Sequence, residues 1–135
     1  FKFEIIYFYN VYGPNQIGFG DMATVIGIFE NQYKHKKPLT IVRPGTQKRN
    51  FTHINDTVET CYLAWKKNNN SHYSIYSKKS YSIIDVAKLF NSKITYLPKR
   101  EGERFASELT KMNLNNKIQR KFGKIKLADY IKKIL

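Results

Sequence analysis

The sequence of 135 residues contains a single cysteine, Cys61, and few acidic side chains. A lone cysteine forms no internal disulfide, so the disulfide framework of small secreted domains is excluded. The chain has no run of about eighteen apolar residues, which argues against a transmembrane helix. It also has no basic segment followed by an apolar one, so no signal peptide is predicted. These absences favour a reducing, cytoplasmic setting.

The scarcity of acidic residues leaves a strongly basic chain, with 24 Lys and Arg against 10 Asp and Glu and a net charge of +14. Such a charge attracts anions, which include nucleic acid, an acidic membrane surface and phosphorylated small molecules. The lysines are scattered, mostly at predicted helix ends and turns, where cations are favoured or simply solvated. We therefore interpret the charge as mainly solvated surface. A basic nucleic-acid-binding or interaction module remains the alternative from another class.

The length and the 41% of hydrophobic residues predict one domain with its own core. Runs rich in β-branched and aromatic residues predict strands at residues 4–10, 39–42, 73–76 and 93–97. Helical periodicity predicts helices at residues 22–36, from Asn55 or Asp56 to 67, from Ser82 to about 90, 110–118 and 127–135. Strands that alternate with helices predict an α/β fold. Residues 4–10 are apolar on both faces, which is typical of a buried parallel strand.

Helical spacing also predicts which side chains face the core. Asp21, Asn55 or Asp56, and Ser82 are the expected N-caps of the three longer helices. The expected inward faces are Ala23, Ile26, Phe29 and Tyr33 in the first helix, Val58, Cys61, Tyr62 and Trp65 in the second, and Ile83, Val86, Ala87 and Phe90 in the third. Cys61 is therefore interpreted as a packing residue and not as a nucleophile.

The stretch of residues 46–56, TQKRNFTHIND, is the first candidate site. In an extended segment Arg49, Phe51 and His53 point to one side. A guanidinium beside an aromatic ring suits an anionic, partly planar ligand, because Arg binds phosphate oxygens in a bidentate manner. The alternative is an ordinary half-buried strand with one surface arginine.

The charged turn at residues 99–104 is the second candidate site. Arg100 is able to clamp a phosphate, and Glu103 is able to accept hydrogen bonds from two vicinal hydroxyls. A cation for a diphosphate and a carboxylate for a ribose together suit a nucleotide. The alternative is a solvated loop with a local ion pair.

Residues 18–23 match the G-x-G-x-x-A pattern of dinucleotide-binding turns. We reject the match because Pro14 and a polar loop separate it from the preceding strand. In addition, no acidic residue follows at the end of a strand about twenty residues later. The three histidines, His35, His53 and His72, are too dispersed to predict a metal site.

An ordered set of motifs resembles a known family: YFYNVYGP at residues 7–14, LTI at 39–41, QKRNFTHIND at 47–56, YSIIDVAKLF at 81–90 and LPKREGE at 97–103. The set is similar to the C-terminal, substrate-binding half of the extended short-chain dehydrogenase/reductase family. Within that family it most resembles the nucleotide-sugar epimerases and dehydratases, especially the UDP-sugar 4-epimerases. The resemblance implies an α/β chain with an incomplete Rossmann-type sheet, a single substrate-binding domain or fragment over residues 1–135, and an absent N-terminal NAD-binding half.

The resemblance also implies roles for individual residues. Asn10 would contact the diphosphate-sugar region of the substrate and Arg49 would bind its diphosphate. Arg100 and Glu103 would hold its phosphate and ribose. The substrate would border Thr24 and Val25, and the backbone at Thr40 and Ile41 would meet the nucleotide base. Tyr9 would face the nicotinamide of NAD.

The activity implied is that of an NAD-dependent nucleotide-sugar 4-epimerase, which oxidises a sugar hydroxyl to a ketone, lets the sugar turn and reduces it again. The full-length enzyme would be a homodimer, with NAD bound mainly by the missing half and neither nucleic acid nor membrane as a partner. A 4,6-dehydratase or reductase of the same family remains open.

No catalytic residue is expected in this chain, because the family's Y-x-x-x-K pair precedes the YNVYGP segment. Two later matches, Tyr33 with Lys37 and Tyr62 with Lys66, are rejected for that reason. Both tyrosines also lie on predicted core faces. The isolated chain is therefore expected to be inactive.

Overall fold

The protein is described here by a computed structural model that covers residues 1–99 and 118–135. Strands and helices alternate along this part of the chain, which confirms the α/β expectation. The strands are β1 (Ile5–Phe8), β2 (Val11–Tyr12), β3 (Leu39–Val42), β4 (Lys48–Arg49), β5 (Thr52–His53), β6 (His72–Tyr76), β7 (Tyr81–Ser82), β8 (Ile94–Leu97) and β9 (Ile118–Phe122). The helices are α1 (Val25–Lys34), α2 (Ile54–Lys67), α3 (Ile83–Leu89) and α4 (Leu127–Lys132).

The strands form one three-stranded sheet and several pairs. The sheet has the order β1-β6-β9 and is wholly parallel, with Ile5 beside His72 and His72 beside Ile118. The β3–β8 and β2–β5 pairs are also parallel, and β4 pairs with β7 in the antiparallel sense. Because β1 lies at one end of the sheet order, it is an edge strand among the described residues and only partly buried. The expectation that this segment is a buried strand is therefore wrong.

Helix α1 begins later than the sequence indicates. Thr24, not Asp21, is the N-cap, and its hydroxyl accepts a hydrogen bond from the Gly27 amide at 3.0 Å. The backbone amide of Thr24 is held by the carbonyl of Ile17 at 3.0 Å, so the preceding loop fixes the start of the helix. The expected core face of α1 is confirmed for Ile26 and Phe29, which are almost fully buried.

Helix α2 presents the opposite face from the one expected. Its buried residues are Asp56, Thr57, Thr60 and Ala64, whereas Val58, Tyr62 and Trp65 are 56%, 54% and 72% exposed. The buried polar groups are satisfied locally: the hydroxyl of Thr60 donates to the Asp56 carbonyl oxygen, and Asp56 Oδ2 accepts from the amides of Lys124 and Ile125. The N-cap is His53, whose Nδ1 accepts from the Asn55 amide, and not Asn55 or Asp56.

Helix α3 follows the sequence prediction. Ser82 and Asp85 form a capping box, in which each side chain accepts a hydrogen bond from the other residue's amide. Hydrogen bonds from the side chain and the backbone amide of Ser82 to the Asp85 carboxyl lower the pKa of that carboxyl. Val86, Ala87 and Phe90 are fully buried. The main core lies between α1, α3, α4 and the β3–β8 pair, and Phe29 and Phe90 meet there edge to face.

The end of the chain differs from the expected pair of helices. The expected helix at residues 110–118 falls mostly outside the described residues, and Ile118 begins β9 instead. Helix α4 follows as expected, with Leu127 and Ile131 buried. Within the described ranges, no helix has both the length and the apolar character that crossing a bilayer requires.

Candidate functional site

A cavity of about 280 Å³ opens at the carboxyl ends of β3 and β8, beside the start of α1. The carboxyl ends of parallel strands are a common place for ligands in α/β folds. The lining is mainly apolar, with four polar or charged side chains among the described residues: Asn10, Thr40, Gln47 and Arg49. An apolar cleft with a few convergent polar groups is the usual character of a small-molecule site.

Arg49 carries the charge of this lining. It lies in β4, opposite Tyr81 of β7, and its side chain is half-buried. One guanidinium nitrogen, Nη1, donates to the carbonyl oxygen of Lys48 at 2.8 Å, which limits the rotation of the planar group. Arginine has five N–H donors in a fixed planar arrangement that matches phosphate oxygens. The site therefore offers a positioned cation to an anionic ligand.

The amino-terminal end of α1 lines the same cavity through Ala23 and Val25. The first turn of this helix contains no acidic residue, so no side chain there neutralises the positive end of the helix dipole. Backbone amides at such an end bind anions readily. Arg49 and the start of α1 thus converge on one space that favours negative charge.

A second cavity of about 200 Å³ adjoins the first, since both are lined by Asn10, Val25 and Phe51. Gln16 and Thr24 form its polar wall. The two cavities together make a groove that follows the start of α1.

The polar wall is held in place by a partly buried hydrogen-bond network. Gln16 Nε2 donates to Glu30 Oε1 at 2.8 Å, and the Thr24 hydroxyl donates to Gln16 Oε1 at 3.0 Å. Glu30 is 8% exposed. Burial raises the pKa of Tyr130, and its hydrogen bond to Glu30 raises that pKa further. Tyr130 therefore stays protonated and fixes the Glu30 carboxylate, which in turn accepts the hydrogen bond from the loop residue Gln16.

The alternation expected around Arg49 holds over part of its length. Arg49 and Phe51 do line the same cavity. His53 does not, because the chain turns into α2 at this point. Its ring packs instead against Tyr12 and Tyr130, and burial lowers its pKa. The expected common face is therefore confirmed for Arg49 and Phe51 and wrong for His53.

The other expected site residues are distributed as follows. Asn10, Val25 and Thr40 line the first cavity, and Thr24 lines the second. The side chain of Ile41 is fully buried in the core, so only its backbone is left for a ligand. Tyr9 follows β1 and packs edge to face on Tyr76, with burial raising its pKa. Arg100 and Glu103 lie outside the described residues.

One important residue was missed. Gln47 is buried and lines the cavity on the same side as Arg49 and Phe51. The two-residue alternation from Phe51 through Arg49 leads to Gln47 in one further step, so the signal was present in the sequence. No comparable signal pointed to Gln16 or Glu30, which come together only when the loop closes on α1.

The model of the NAD dependent epimerase/dehydratase family matches residues 1–77, which is more than half of the chain. The chain belongs to this family. Members of the family use NAD. No match was found among curated proteins.

Solved structures of epimerases resemble the chain. UDP-glucose 4-epimerase from Thermotoga maritima, determined with UDP-glucose, is 25% identical, with a TM-score of 0.79 over 97% of this chain and 44% of that one. UDP-glucuronic acid 4-epimerase from Bacillus cereus, determined with UDP-glucuronic acid and NAD, is 26% identical, with a TM-score of 0.71 over 95% of this chain and 42% of that one. UDP-N-acetylglucosamine 4-epimerase from Methanobrevibacter ruminantium, at 20% identity and a TM-score of 0.70 over 96% of this chain and 39% of that one, shows the shared fold alone. The chain therefore spans less than half the length of these epimerases.

The position expected within the family is wrong. The resemblance implied the C-terminal, substrate-binding portion with an incomplete Rossmann-type sheet and the NAD-binding half missing. The family match at residues 1–77 corresponds instead to the N-terminal, NAD-binding region. The fold is accordingly an α/β parallel-sheet fold that matches the N-terminal Rossmann part of extended epimerases. Short strand–loop–helix units recur along α/β folds, so a series of short motifs identified the family without fixing the portion.

Proposed function

We propose that this chain is part of an NAD-dependent nucleotide-sugar 4-epimerase and that the groove beside α1 contacts the diphosphate of a nucleotide-diphosphate sugar. The observation that carries the proposal is the convergence of Arg49 and the amino-terminal end of α1 on one cavity. Both favour the same kind of ligand group, an anion with oxygen acceptors. The family assignment and the UDP-sugars in the two epimerases of 25% and 26% identity support this choice of anion.

The remaining site residues would orient the two ends of the ligand. Asn10 would offer hydrogen-bonding groups along the groove, Thr24 would shape its wall, and Val25 and Phe51 would cover its apolar parts. Thr40 lies on β3 beside the cavity, so the nucleotide base would meet the backbone at Thr40 and Ile41. Arg100 and Glu103 are further candidates for the phosphate and the ribose on the sequence alone.

NAD, when bound, would accept a hydride from the sugar and return it to the other face. Tyr9 would face the nicotinamide, since its half-buried ring at the end of β1 presents a surface to a planar group. Between β2 and α1 the chain runs through residues 13–24, so the glycines at positions 18 and 20 are not part of a tight strand-to-helix turn. Alongside the NAD-binding region that the family match indicates, the groove beside α1 would bind and orient the substrate.

The test is binding of UDP-glucose and UDP, measured by calorimetry and by NMR of the 135-residue chain. We expect weak, saturable binding that shifts the amide signals of Thr24, Val25 and Arg49 together. UDP should compete with UDP-glucose because the diphosphate supplies the main contact. Binding that leaves these three amides unchanged would refute the proposed location, and NAD-dependent turnover by this chain alone would refute the expected lack of catalytic residues.

A further inference from the structure

A third cavity lies at the opposite end of the β3–β8 pair. It has a volume of about 490 Å³ and is bordered by four lysines, Lys34, Lys36, Lys37 and Lys93, together with Tyr33 and Ser92. Its lining shares no residue with either cavity of the candidate site. The two ends of a four-residue strand are separated by roughly 10 Å, so this is a separate surface.

The four lysines come from segments that the fold holds together. Lys34 ends α1, Lys36 and Lys37 lie in the turn that follows, and Lys93 lies in the turn before β8. The two turns are joined because the Leu39 amide donates to the Lys93 carbonyl oxygen at 2.7 Å. Lys36 has a φ of +55°, the left-handed conformation that reverses the chain after the helix. The cluster is therefore built by the β3–β8 pairing and not by one run of sequence.

Among the described residues no carboxylate lines this cavity, and the ion pair of Lys124 with Glu59 lies elsewhere on the molecule. Lys34 lies in the last turn of α1, where the helix dipole favours a cation. The other three ammonium groups follow the helix or come from another segment. Several like charges around one concavity repel each other, and a polyvalent anion relieves that repulsion.

We propose that this cavity binds a compact anion that carries two or three phosphate groups. Four ammonium groups supply the charge, and the hydroxyls of Tyr33 and Ser92 supply neutral hydrogen-bond donors at the wall. The Tyr33 ring packs against Phe90 at a centroid distance of 6.0 Å, which anchors that side of the wall. An inorganic polyphosphate and the phosphate chain of a nucleoside triphosphate share this chemistry.

The test is calorimetric titration of tripolyphosphate into the 135-residue chain at about 50 mM salt, where charge interactions are weakly screened. The experiment uses an Arg49→Ala background, so that the candidate site contributes little. We expect the double variant Lys36→Gln/Lys93→Gln to raise the Kd by about tenfold or more, because two of the four cations around the anion are lost. The matched control is Lys66→Gln/Lys67→Gln, which removes the same charge from exposed lysines at the end of α2 and should change the Kd by less than about twofold.

Three further measurements decide the source of the ligand and the location. The amide signals of Ser92 and Lys93 should shift during the titration, and ATP should bind about as tightly as tripolyphosphate while adenosine does not bind. An equal increase of the Kd in the two double variants would show that only the net charge of the chain matters, and it would overturn the proposal. Absence of saturable binding would overturn it, and so would displacement of tripolyphosphate by an oligonucleotide at lower phosphate concentration, which would assign the surface to nucleic acid.

Discussion

The hydroxyl of Thr24 donates a hydrogen bond to Oε1 of Gln16 at 3.0 Å, and the oxygen of this Thr24 hydroxyl accepts a hydrogen bond from the Gly27 amide. One side chain thus caps α1 and fixes the loop that forms the wall of the groove. Gln16 is held from its other end by Glu30, so the loop is tied to two successive turns of one helix. The shape of the candidate site depends on this short network.

The first prediction concerns this cap. Thr24→Val keeps the shape of the side chain but removes its oxygen, and we expect a loss of stability of about 1 kcal/mol, as for other lost N-caps. UDP-glucose binding should weaken as well, because the loop loses its tie to α1. Thr24→Ser is the control and should restore both properties. Chemical denaturation and calorimetry are the measurements, and a Val variant as stable as the Ser variant would contradict the capping role.

The second prediction concerns Arg49. Arg49→Ala should weaken nucleotide-sugar binding by roughly 2–4 kcal/mol, as for a lost charged contact in a partly buried site. This free-energy loss corresponds to an increase of the dissociation constant by about 30-fold to several hundred-fold. Arg43→Ala is the matched control, since Arg43 lies outside the cavity lining and stacks over the exposed Tyr96 ring. An Arg49 variant that binds as tightly as the Arg43 variant would remove the basis of the proposed function.

The third prediction concerns pH and His53. Burial lowers the pKa of this histidine, and its Nδ1 must be unprotonated to accept from the Asn55 amide. A lowered folded-state pKa means that the unfolded chain takes up the proton first as the pH falls. The stability that neutral His53 provides is therefore complete above the unfolded pKa of about 6.5 and declines below it, down to the lower pKa of the folded state.

The corresponding variant is His53→Asn, which keeps an N-cap acceptor but does not ionise in this range. Denaturation at pH 7.5 and at pH 5.5 should show a smaller pH-dependent loss for this variant than for the wild type. His35→Asn changes an exposed histidine and serves as the control. Equal pH dependence in all the chains would show that His53 is not the responsible group.

The fourth prediction concerns the orientation of α2. Ala64 is fully buried and Trp65 is 72% exposed, although the sequence pattern placed Trp65 on the core face. Trp65→Ser should change the free energy of unfolding by no more than about 0.5 kcal/mol, as for other surface substitutions. Ala64→Leu should cost about 1–3 kcal/mol through overpacking. Thermal and denaturant unfolding of both variants are the measurements, and a larger loss for Trp65→Ser than for Ala64→Leu would restore the face predicted from the sequence.

The parts of the fold that depend on local chemistry were predictable. Ser82 and Asp85 stand at the spacing of a capping box, and the apolar residues after them fall on one face of α3, as observed. Helix α2 was misread because its buried face is made of Asp56, Thr57 and Thr60, whose polar groups bond to nearby backbone. A hydrophobicity pattern places such polar residues on the exposed face. The amides that bind the Asp56 carboxylate lie nearly seventy residues away in the sequence.

The candidate site shows the same division. The pairing of Arg49 with Phe51 follows from strand alternation and was predicted, and Gln47 follows from the same rule. Leu97 of β8 also lines the first cavity, and its place there depends on the pairing of β3 with β8, which the sequence does not reveal. The portion of the family to which the chain corresponds was also misjudged, since short motifs carry little information about position.

Strand β9 lies next to β6 in parallel register, with Phe122 beside Tyr76, although β7, α3 and β8 come between them in the sequence. During synthesis on the ribosome, β6 therefore emerges well before the neighbour that covers its open edge. Until Phe122 has left the exit tunnel, that edge presents unpaired amides and carbonyls to other nascent chains. A chain truncated before β9 would expose this edge permanently and would aggregate more readily than the chain that contains β9.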